Sequence, residues 1–286
     1  MHFAKFHGLG NDFVLTEGLP VADEEKLRKL ARWICHRHFG VGADGLILVL
    51  PGVKAPFRMR ILNSDGSEAE MCGNGIRCFA KYAYERNLTK ETEFEVETLA
   101  GVIRPRLLLD HGQVSEVCVD MGRPRLEAAE VPVTGYGVGP VINAELAVDE
   151  TRLRFGAVSM GNPHAVITVN KIDNITWQEL GPKIEQHPAF PRKTNVEFVQ
   201  QLEPDRLRVK VWERGAGPTL ACGTGACAVV VALTLTGQVD RKAWVELPGG
   251  ELLIEWGQDD RVYMTGPATH VFDGELQWPE QADGFV

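Results

Sequence analysis

The chain carries the same two short motifs twice, at nearly the same spacing. GNDFV, which contains Asn11, is followed 61 residues later by CGNG at Cys72, and GNPHAV, which contains Asn162, is followed 60 residues later by CGTG at Cys222. Both motifs therefore recur at an offset of 150 or 151 residues. A repeat at one offset predicts two copies of one structural unit.

Strand-like segments outnumber helical ones. They cover residues 57–62, 93–98, 102–109, 164–169, 207–212, 243–247 and 251–256. Amphipathic helices are predicted over 22–37 and over 176–187, the second broken at Gly181-Pro182, and one further helix follows each CGxG motif. The helix after Cys222 is apolar on every face, which is typical of a helix inside a core.

This pattern predicts an α+β fold of two pseudo-symmetric domains. Each would be a curved mixed β-sheet wrapped around a central helix, with the active site in the cleft between them. We expect an N-terminal half over 1–125, a C-terminal half over 126–270, and a segment 271–286 that returns to the first half. The Gly- and Pro-rich stretch 122–140 would connect the halves.

Charge and composition exclude several functional classes. The net charge of −9 argues against nucleic-acid or anionic-membrane binding, because both usually need clustered Lys and Arg. The first residues show no secretory signal, and the longest apolar run, 226–233, is too short to span a bilayer. We expect a cytoplasmic protein with a small-molecule partner, whose six cysteines do not form a disulfide scaffold.

Each CGxG motif places a cysteine beside glycines at the start of a predicted helix. Unpaired backbone N–H groups and the helix dipole favour an anion there, and they lower a thiol's pKa. If the two halves face each other, Cys72 and Cys222 would approach one substrate carbon from opposite sides. One cysteine would remove the α-proton as thiolate and the other would return a proton as thiol, which needs no cofactor and no metal.

Other interpretations of the cysteines remain open. A Cys72–Cys222 disulfide would inactivate such a site on oxidation. A zinc site fits poorly, because the spacings within the two helices are C-x5-C and C-x4-C rather than C-x2-C. The remaining cysteines are expected to be packed in the interior. They are Cys35, Cys78, Cys118 and Cys227.

Longer segments resemble one family across nearly the whole chain. The segments are GLGNDF, NSDGSEAEMCGNGIRCFA, SMGNPHAV, NVEF, ERGAGPTLACGTGACA and LPGGELLIEW, and they look like diaminopimelate epimerase. The resemblance implies an isomerase that interconverts LL- and meso-2,6-diaminopimelate without pyridoxal phosphate, on the way to lysine and to a peptidoglycan precursor. It also implies a homodimer.

The resemblance further implies roles for individual residues. It assigns the proton transfers to Cys72 and Cys222, support of the catalytic site to His164, and contact with the reacting ammonium group to Glu213. Backbone amides at Gly73, Asn74, Gly223 and Thr224 would hold the reacting carboxylate. The distal end of the substrate would be bound by Asn11, Asn63, Asn162, Asn195 and Arg214.

Without the resemblance, the asparagines would be interpreted as turn residues and Glu213-Arg214 as an exposed charge pair. One position departs from the family: Gly45 stands where many relatives carry a glutamine that contacts substrate. Two rival functions remain open, a proline-racemase-like isomerase on the same fold and a non-catalytic cysteine-rich metal or thiol module.

Overall fold

The chain forms two compact units, seen in a computed structural model that describes residues 1–18 and 23–277. Among the described residues, the first unit contains those of Met1–Val119 together with 266–277, and the second contains Asp120–Thr265. The predicted boundary after residue 125 stays a prediction. Residues 278–286 of the predicted returning segment lie outside the described residues.

The described residues form strands and helices in the following order. They are β1 (His2–Gly8), β2 (Asn11–Glu17), α1 (Glu24–Cys35), β3 (Gly45–Pro51), β4 (Phe57–Asn63), β5 (Glu68–Ala69), α2 (Gly73–Glu85), β6 (Val96–Thr98), β7 (Gly101–Ile103), β8 (Arg106–Asp110), β9 (Gln113–Asp120), β10 (Ala144–Val148), β11 (Thr151–Ser159), β12 (Pro163–Thr168), a 3-10 turn (Ile172–Asn174), α3 (Trp177–Glu185), β13 (Asn195–Glu203), β14 (Arg206–Glu213), β15 (Gly217–Thr219), α4 (Gly223–Leu235), β16 (Lys242–Leu247), β17 (Gly250–Trp256), β18 (Val262–Gly266) and β19 (Thr269–Glu275).

The two units repeat one strand connectivity. In the first, β1 and β2 are antiparallel, β2 and β3 parallel, β3 and β4 antiparallel, and β4 and β6 parallel, with α1 and α2 in the two crossovers. In the second, β11 to β14 and β16 repeat these pairings, with α3 and α4 in the crossovers. Strand β19 lies beside β1, and β10 lies beside β11.

The repeat extends to single residues. Phe13 pairs with Gly45 across β2 and β3, and His164 pairs with Asn195 across β12 and β13. Counting along the paired strands from these positions, Ile47 of the first unit corresponds to Glu197 of the second. The GN and CGxG motifs thus occupy equivalent places in two copies of one unit.

Each sheet has a helix packed on it that begins at a CGxG motif. Helix α4 buries ten of its 13 residues and packs on β11, β12, β13, β16 and β17. Helix α2 packs on β1 to β4 and on β19, and nine of its 13 residues are buried. The predicted α+β class, with two mixed sheets and a helix packed on each, is confirmed.

Two predictions about local structure are wrong. Helix α3 continues through Pro182, because one missing N–H costs a single hydrogen bond while Gly181 packs directly on Trp212. The strand predicted over 102–109 is divided into β7 and β8, with Pro105 between them, since proline cannot donate to a strand ladder.

The helix predicted from residue 22 begins at Glu24. Asp23 caps it by accepting hydrogen bonds from the amides of Glu25 at 3.0 Å and Lys26 at 3.2 Å. Residue 22 lies outside the described residues. None of the helices in the described part of the chain is both long and apolar enough to cross a membrane.

The Gly- and Pro-rich stretch 122–140 contains no helix and no strand beyond isolated bridges. It nevertheless packs closely on the second unit: Ala128, Val131 and Val133 are buried in that unit's hydrophobic core, beside Phe155 and Phe198. The stretch is therefore part of the second unit's core rather than a solvated linker.

Candidate active site

Cys72 and Cys222 cap the two central helices. Each has extended backbone torsions at the N-cap position, and each sulfur accepts a hydrogen bond from the backbone N–H three residues later, at Gly75 or Gly225, at 3.4 Å. A sulfur in this place faces the positive end of the helix dipole, which favours its thiolate form. The predicted positions of both cysteines at helix starts are confirmed.

In the first unit, Cys72 lies beside Asn11. The Cys72 thiol donates to Asn11 Oδ1 at 3.6 Å, and Asn74 Nδ2 donates to the same oxygen at 3.1 Å. Asn11 Nδ2 donates to Asp44 Oδ2 at 2.8 Å, while Arg37 contacts the other oxygen of Asp44 at 2.8 Å. Because a carboxylate only accepts, Asp44 fixes which end of the Asn11 amide faces the cysteine.

Arg77 supports the loop that contains the predicted carboxylate-binding amides. Its side chain is fully buried, and its guanidinium donates to Gly73 O at 3.2 Å, to Asn74 Oδ1 at 3.0 Å and to Pro267 O at 3.2 Å. Sequence reasoning missed this residue. No pattern in the sequence indicates it, because Arg77 lies one turn before Lys81 on the polar face of the predicted helix, where an exposed charge is expected.

Asn63 lies at the end of β4. It is exposed, and its amide donates to Ser67 Oγ at 2.9 Å. The asparagine therefore sits in a turn, as the sequence alone would suggest, with its side chain also accessible.

In the second unit, Cys222 is linked to a buried histidine–glutamate pair. Its sulfur lies 3.5 Å from Thr224 Oγ1, which accepts from Asn162 Nδ2 at 3.3 Å. Asn162 Oδ1 lies 3.0 Å from His164 Nε2, and His164 Nδ1 lies 2.7 Å from Glu197 Oε1. His164 and Glu197 are both fully buried. The structure thus connects Asn162, His164 and Thr224 of the predicted set, and adds Glu197.

The environment of Cys222 opposes ionisation. Burial raises the pKa of the Cys222 thiol well above its usual range, and the negative charges of Glu213 and Glu197 raise that pKa further. Hydrogen bonds from the Thr224 hydroxyl and the Gly225 amide act in the opposite direction. A base at this position therefore depends on hydrogen-bond donors directed at the sulfur.

Three further predicted residues lie close together where β13 begins and β14 ends. Asn195 is buried, donates to Pro163 O at 2.8 Å and accepts from the backbone N–H of Arg214 at 2.9 Å. The Arg214 guanidinium contacts Arg192 O at 3.1 Å, and Glu213 accepts from Thr219 Oγ1 at 2.6 Å. Asn195 therefore holds the backbone that presents Arg214.

Gly45 occupies the position in β3 that corresponds to Asn195 in β13. A Cβ there would lie 2.9 Å from the carbonyl oxygen of Leu62 and 3.3 Å from the Phe13 ring. The backbone therefore leaves little room for a side chain, which is consistent with glycine at this departure from the family.

The other cysteines are packed in the interior, as predicted. Burial raises the pKa of Cys35 and of Cys78 to about 12, so both remain thiols at neutral pH. None of the six cysteines is joined in a disulfide. Within residues 1–18 and 23–277, no group of three or more His, Cys, Asp or Glu side chains is arranged to hold a metal ion.

Comparison with known proteins gives one family. The family model described as "Diaminopimelate epimerase" matches residues 3–127 and 156–271. The chain is 57% identical over 280 residues to a diaminopimelate epimerase of Heliobacterium modesticaldum, covering 96% of this chain and 99% of that protein. It is 48% identical over 277 residues to one from Methanococcus maripaludis, with coverage of 96% and 99%.

Solved structures with low sequence identity share the fold. A hydroxyproline epimerase from Agrobacterium vitis matches with a TM-score of 0.69 at 17% identity, covering 100% of this chain and 95% of that one. A PhzF-family phenazine biosynthesis protein from Bacillus anthracis matches with a TM-score of 0.70 at 16% identity, covering 97% and 99%. At such identities the likeness concerns the fold alone.

Proposed function

This chain belongs to the diaminopimelate epimerase family, and from that premise we propose that it interconverts LL- and meso-2,6-diaminopimelate without pyridoxal phosphate. The observation that best supports the proposal is the pair of N-cap cysteines, Cys72 and Cys222, at equivalent places in two copies of one unit. The reaction inverts one α-carbon, and inversion needs an acid and a base on opposite faces of that carbon.

In the proposed mechanism, one cysteine removes the α-proton as thiolate while the other donates a proton as thiol to the opposite face. The roles of Cys72 and Cys222 exchange when the reaction runs backwards. No electrons are transferred, because one C–H bond breaks and one forms at the same carbon. Negative charge that develops on the substrate carboxylate would be stabilised by the amides at the two helix N-termini.

The substrate-binding roles are proposed from the family resemblance and supported by position. Backbone amides of Gly73-Asn74 and Gly223-Thr224 belong to the first turns of α2 and α4, where N–H groups lack helical partners. Glu213 would bind the reacting ammonium group. The distal end of the substrate would be bound by Asn11, Asn63, Asn162, Asn195 and Arg214, with Asn195 acting through the backbone of Arg214.

A proline-racemase-like activity is the second candidate, because a hydroxyproline epimerase shares the fold. A cyclic imino acid has no second amino-acid end, so it would leave the side chain of Arg214 without a carboxylate to bind. The membership in the family and the identity of 57% to a diaminopimelate epimerase favour the first candidate. The family resemblance also leads us to propose a homodimer and a cytoplasmic location.

The function is tested by incubating the purified protein, without added cofactor, with LL-2,6-diaminopimelate and separately with L-proline and trans-4-hydroxy-L-proline. Isomers are separated by chiral chromatography. We expect the meso isomer to accumulate to equilibrium and neither imino acid to change configuration. Epimerisation of an imino acid with no turnover of diaminopimelate would replace the first candidate by the second.

A further inference from the structure

Glu197 is the most unusual buried group of the second unit. Its side chain is fully buried on β13, one oxygen contacts His164, and Oε2 has no hydrogen-bond partner among the described residues. The corresponding residue of the first unit is Ile47. A carboxyl group at a position where the duplicate unit carries an alkyl group calls for a role beyond packing.

The pair formed by Glu197 and His164 must carry no net charge. An isolated charge in a fully buried place strongly destabilises a protein, because the charge loses its hydration. The pair therefore holds two protons, either as carboxylate with imidazolium or as carboxylic acid with neutral imidazole. In both forms Nδ1 and Glu197 Oε1, 2.7 Å apart, share one proton, and the other lies on His164 Nε2, whose partner Asn162 Oδ1 can only accept.

This proton fixes the direction of the hydrogen bonds that follow. Nε2–H donates to Asn162 Oδ1, so the Asn162 amide must turn its Nδ2 toward Thr224. The Thr224 oxygen accepts that hydrogen bond, and its own hydroxyl hydrogen is left to point at Cys222 Sγ, 3.5 Å away. The series of hydrogen bonds therefore ends with the Thr224 hydroxyl donating to the sulfur of Cys222.

In the first unit the hydrogen bond between the proposed catalytic cysteine and its neighbour runs in the opposite direction. Asp44 holds Asn11 Nδ2, so Asn11 presents its oxygen to Cys72 and accepts from the thiol. Phe13 and Ile47 occupy the places of His164 and Glu197. One cysteine therefore faces an amide oxygen, and the other faces a hydroxyl donor set by a buried pair.

We propose that Glu197 is a positioning residue: acting through His164, the supporting histidine of the family, it directs the Thr224 hydroxyl toward Cys222 and so stabilises the Cys222 thiolate against burial. The charged and titratable groups around Cys222 are Glu213 on β14, Glu197 on β13 and His164 on β12. The catalytic meaning of this device rests on the proposed function, in which the Cys222 thiolate is one of the two bases.

The test measures thiolate formation without substrate. The rate of iodoacetamide alkylation is followed against pH, and peptides containing Cys72 and Cys222 are quantified separately by mass spectrometry. Two variants interrupt the series of hydrogen bonds from Glu197 to Cys222. Thr224→Val removes the hydroxyl, and the double variant His164→Phe/Glu197→Ile copies the apolar residues of the first unit. Thr224→Ser keeps the hydroxyl and is the matched control.

Thr224→Val and the double variant are both expected to raise the pH midpoint of Cys222 alkylation. At pH values below that midpoint, alkylation of Cys222 should slow about tenfold. The alkylation of Cys72 should be unaffected, and Thr224→Ser should keep the wild-type midpoint of Cys222 alkylation. The double variant distinguishes the positioning role from a simple charge effect. Loss of the positioning role would raise the pH midpoint, whereas loss of a bare negative charge at Glu197 would lower it. A lowered or unchanged midpoint in that variant, or an unchanged one in Thr224→Val, would overturn the proposal.

Each outcome is independent of turnover. A protein that epimerises diaminopimelate but shows no shift in the midpoint keeps the proposed function and loses the positioning chain. A protein that shows the shift in the midpoint but turns over no diaminopimelate supports the positioning role and contradicts the proposed function. Thr224→Val alone decides the proposal if the double variant does not fold.

Discussion

Replacing either Cys72 or Cys222 with serine is expected to lower kcat for epimerisation of LL-2,6-diaminopimelate by about a thousandfold or more. A serine hydroxyl is far less acidic than a thiol, so it forms almost no base at neutral pH. Because every turnover uses one base and one acid, we expect the two variants to lose activity to a similar extent. Initial rates of meso isomer formation give the measurement.

Cys118→Ser provides the control for this experiment. Cys118 is buried in β9, contacts the Arg106 guanidinium at 3.7 Å and belongs to neither CGxG motif. We expect its kcat to stay within about twofold of wild type, as for a substitution outside the site. If Cys72→Ser or Cys222→Ser kept wild-type kcat, that residue could not be one of the two bases.

Alanine at Gly225 is expected to destabilise the protein much more than alanine at the equivalent Gly75. A Cβ at Gly225 would lie 2.6 Å from Glu197 Oε1 and 3.2 Å from its Cγ and Cδ, so the buried carboxyl group would have to leave His164. At Gly75 the nearest atoms, at 3.3 Å, are the flexible Cδ1 ends of Ile47 and Ile61.

We expect Gly225→Ala to lower the free energy of unfolding by about 2–3 kcal/mol, because it overpacks a core and disturbs the buried contact between His164 and Glu197. Gly75→Ala should change that free energy by less than about 1 kcal/mol, since alanine's helix propensity offsets a mild clash. Urea denaturation of both variants supplies the values. Equal stability of the two variants would mean that Glu197 is not held in place.

The motifs made the central geometry predictable from the sequence. A cysteine followed by glycine and an apolar run predicts a helix start, and both helices begin one residue after their cysteines. The common offset predicted the duplicated connectivity. Helix α3 was misjudged because the packing of Gly181 on Trp212, which compensates for Pro182, joins residues distant in sequence.

The supporting residues were not predictable in the same way. Glu197 contacts His164 only because β12 and β13 pair in one parallel register, and no local pattern encodes a register between strands 33 residues apart. Asp44 reaches Asn11 in the same manner across β2 and β3. Arg77 gave no local signal, since it shares a helix face with Lys81, and its contact with Pro267 O joins residues that lie 190 positions apart.

Two opposed bases are tested most directly by tracing the α-hydrogen. LL-2,6-diaminopimelate is incubated with the wild-type protein in deuterium oxide, and deuterium in the remaining LL isomer and in the new meso isomer is measured by mass spectrometry at low conversion. With separate acid and base, the meso isomer should carry one α-deuterium from its first appearance while the LL isomer stays unlabelled. A meso isomer that retains the substrate's own α-hydrogen at the inverted carbon would contradict the two-cysteine mechanism.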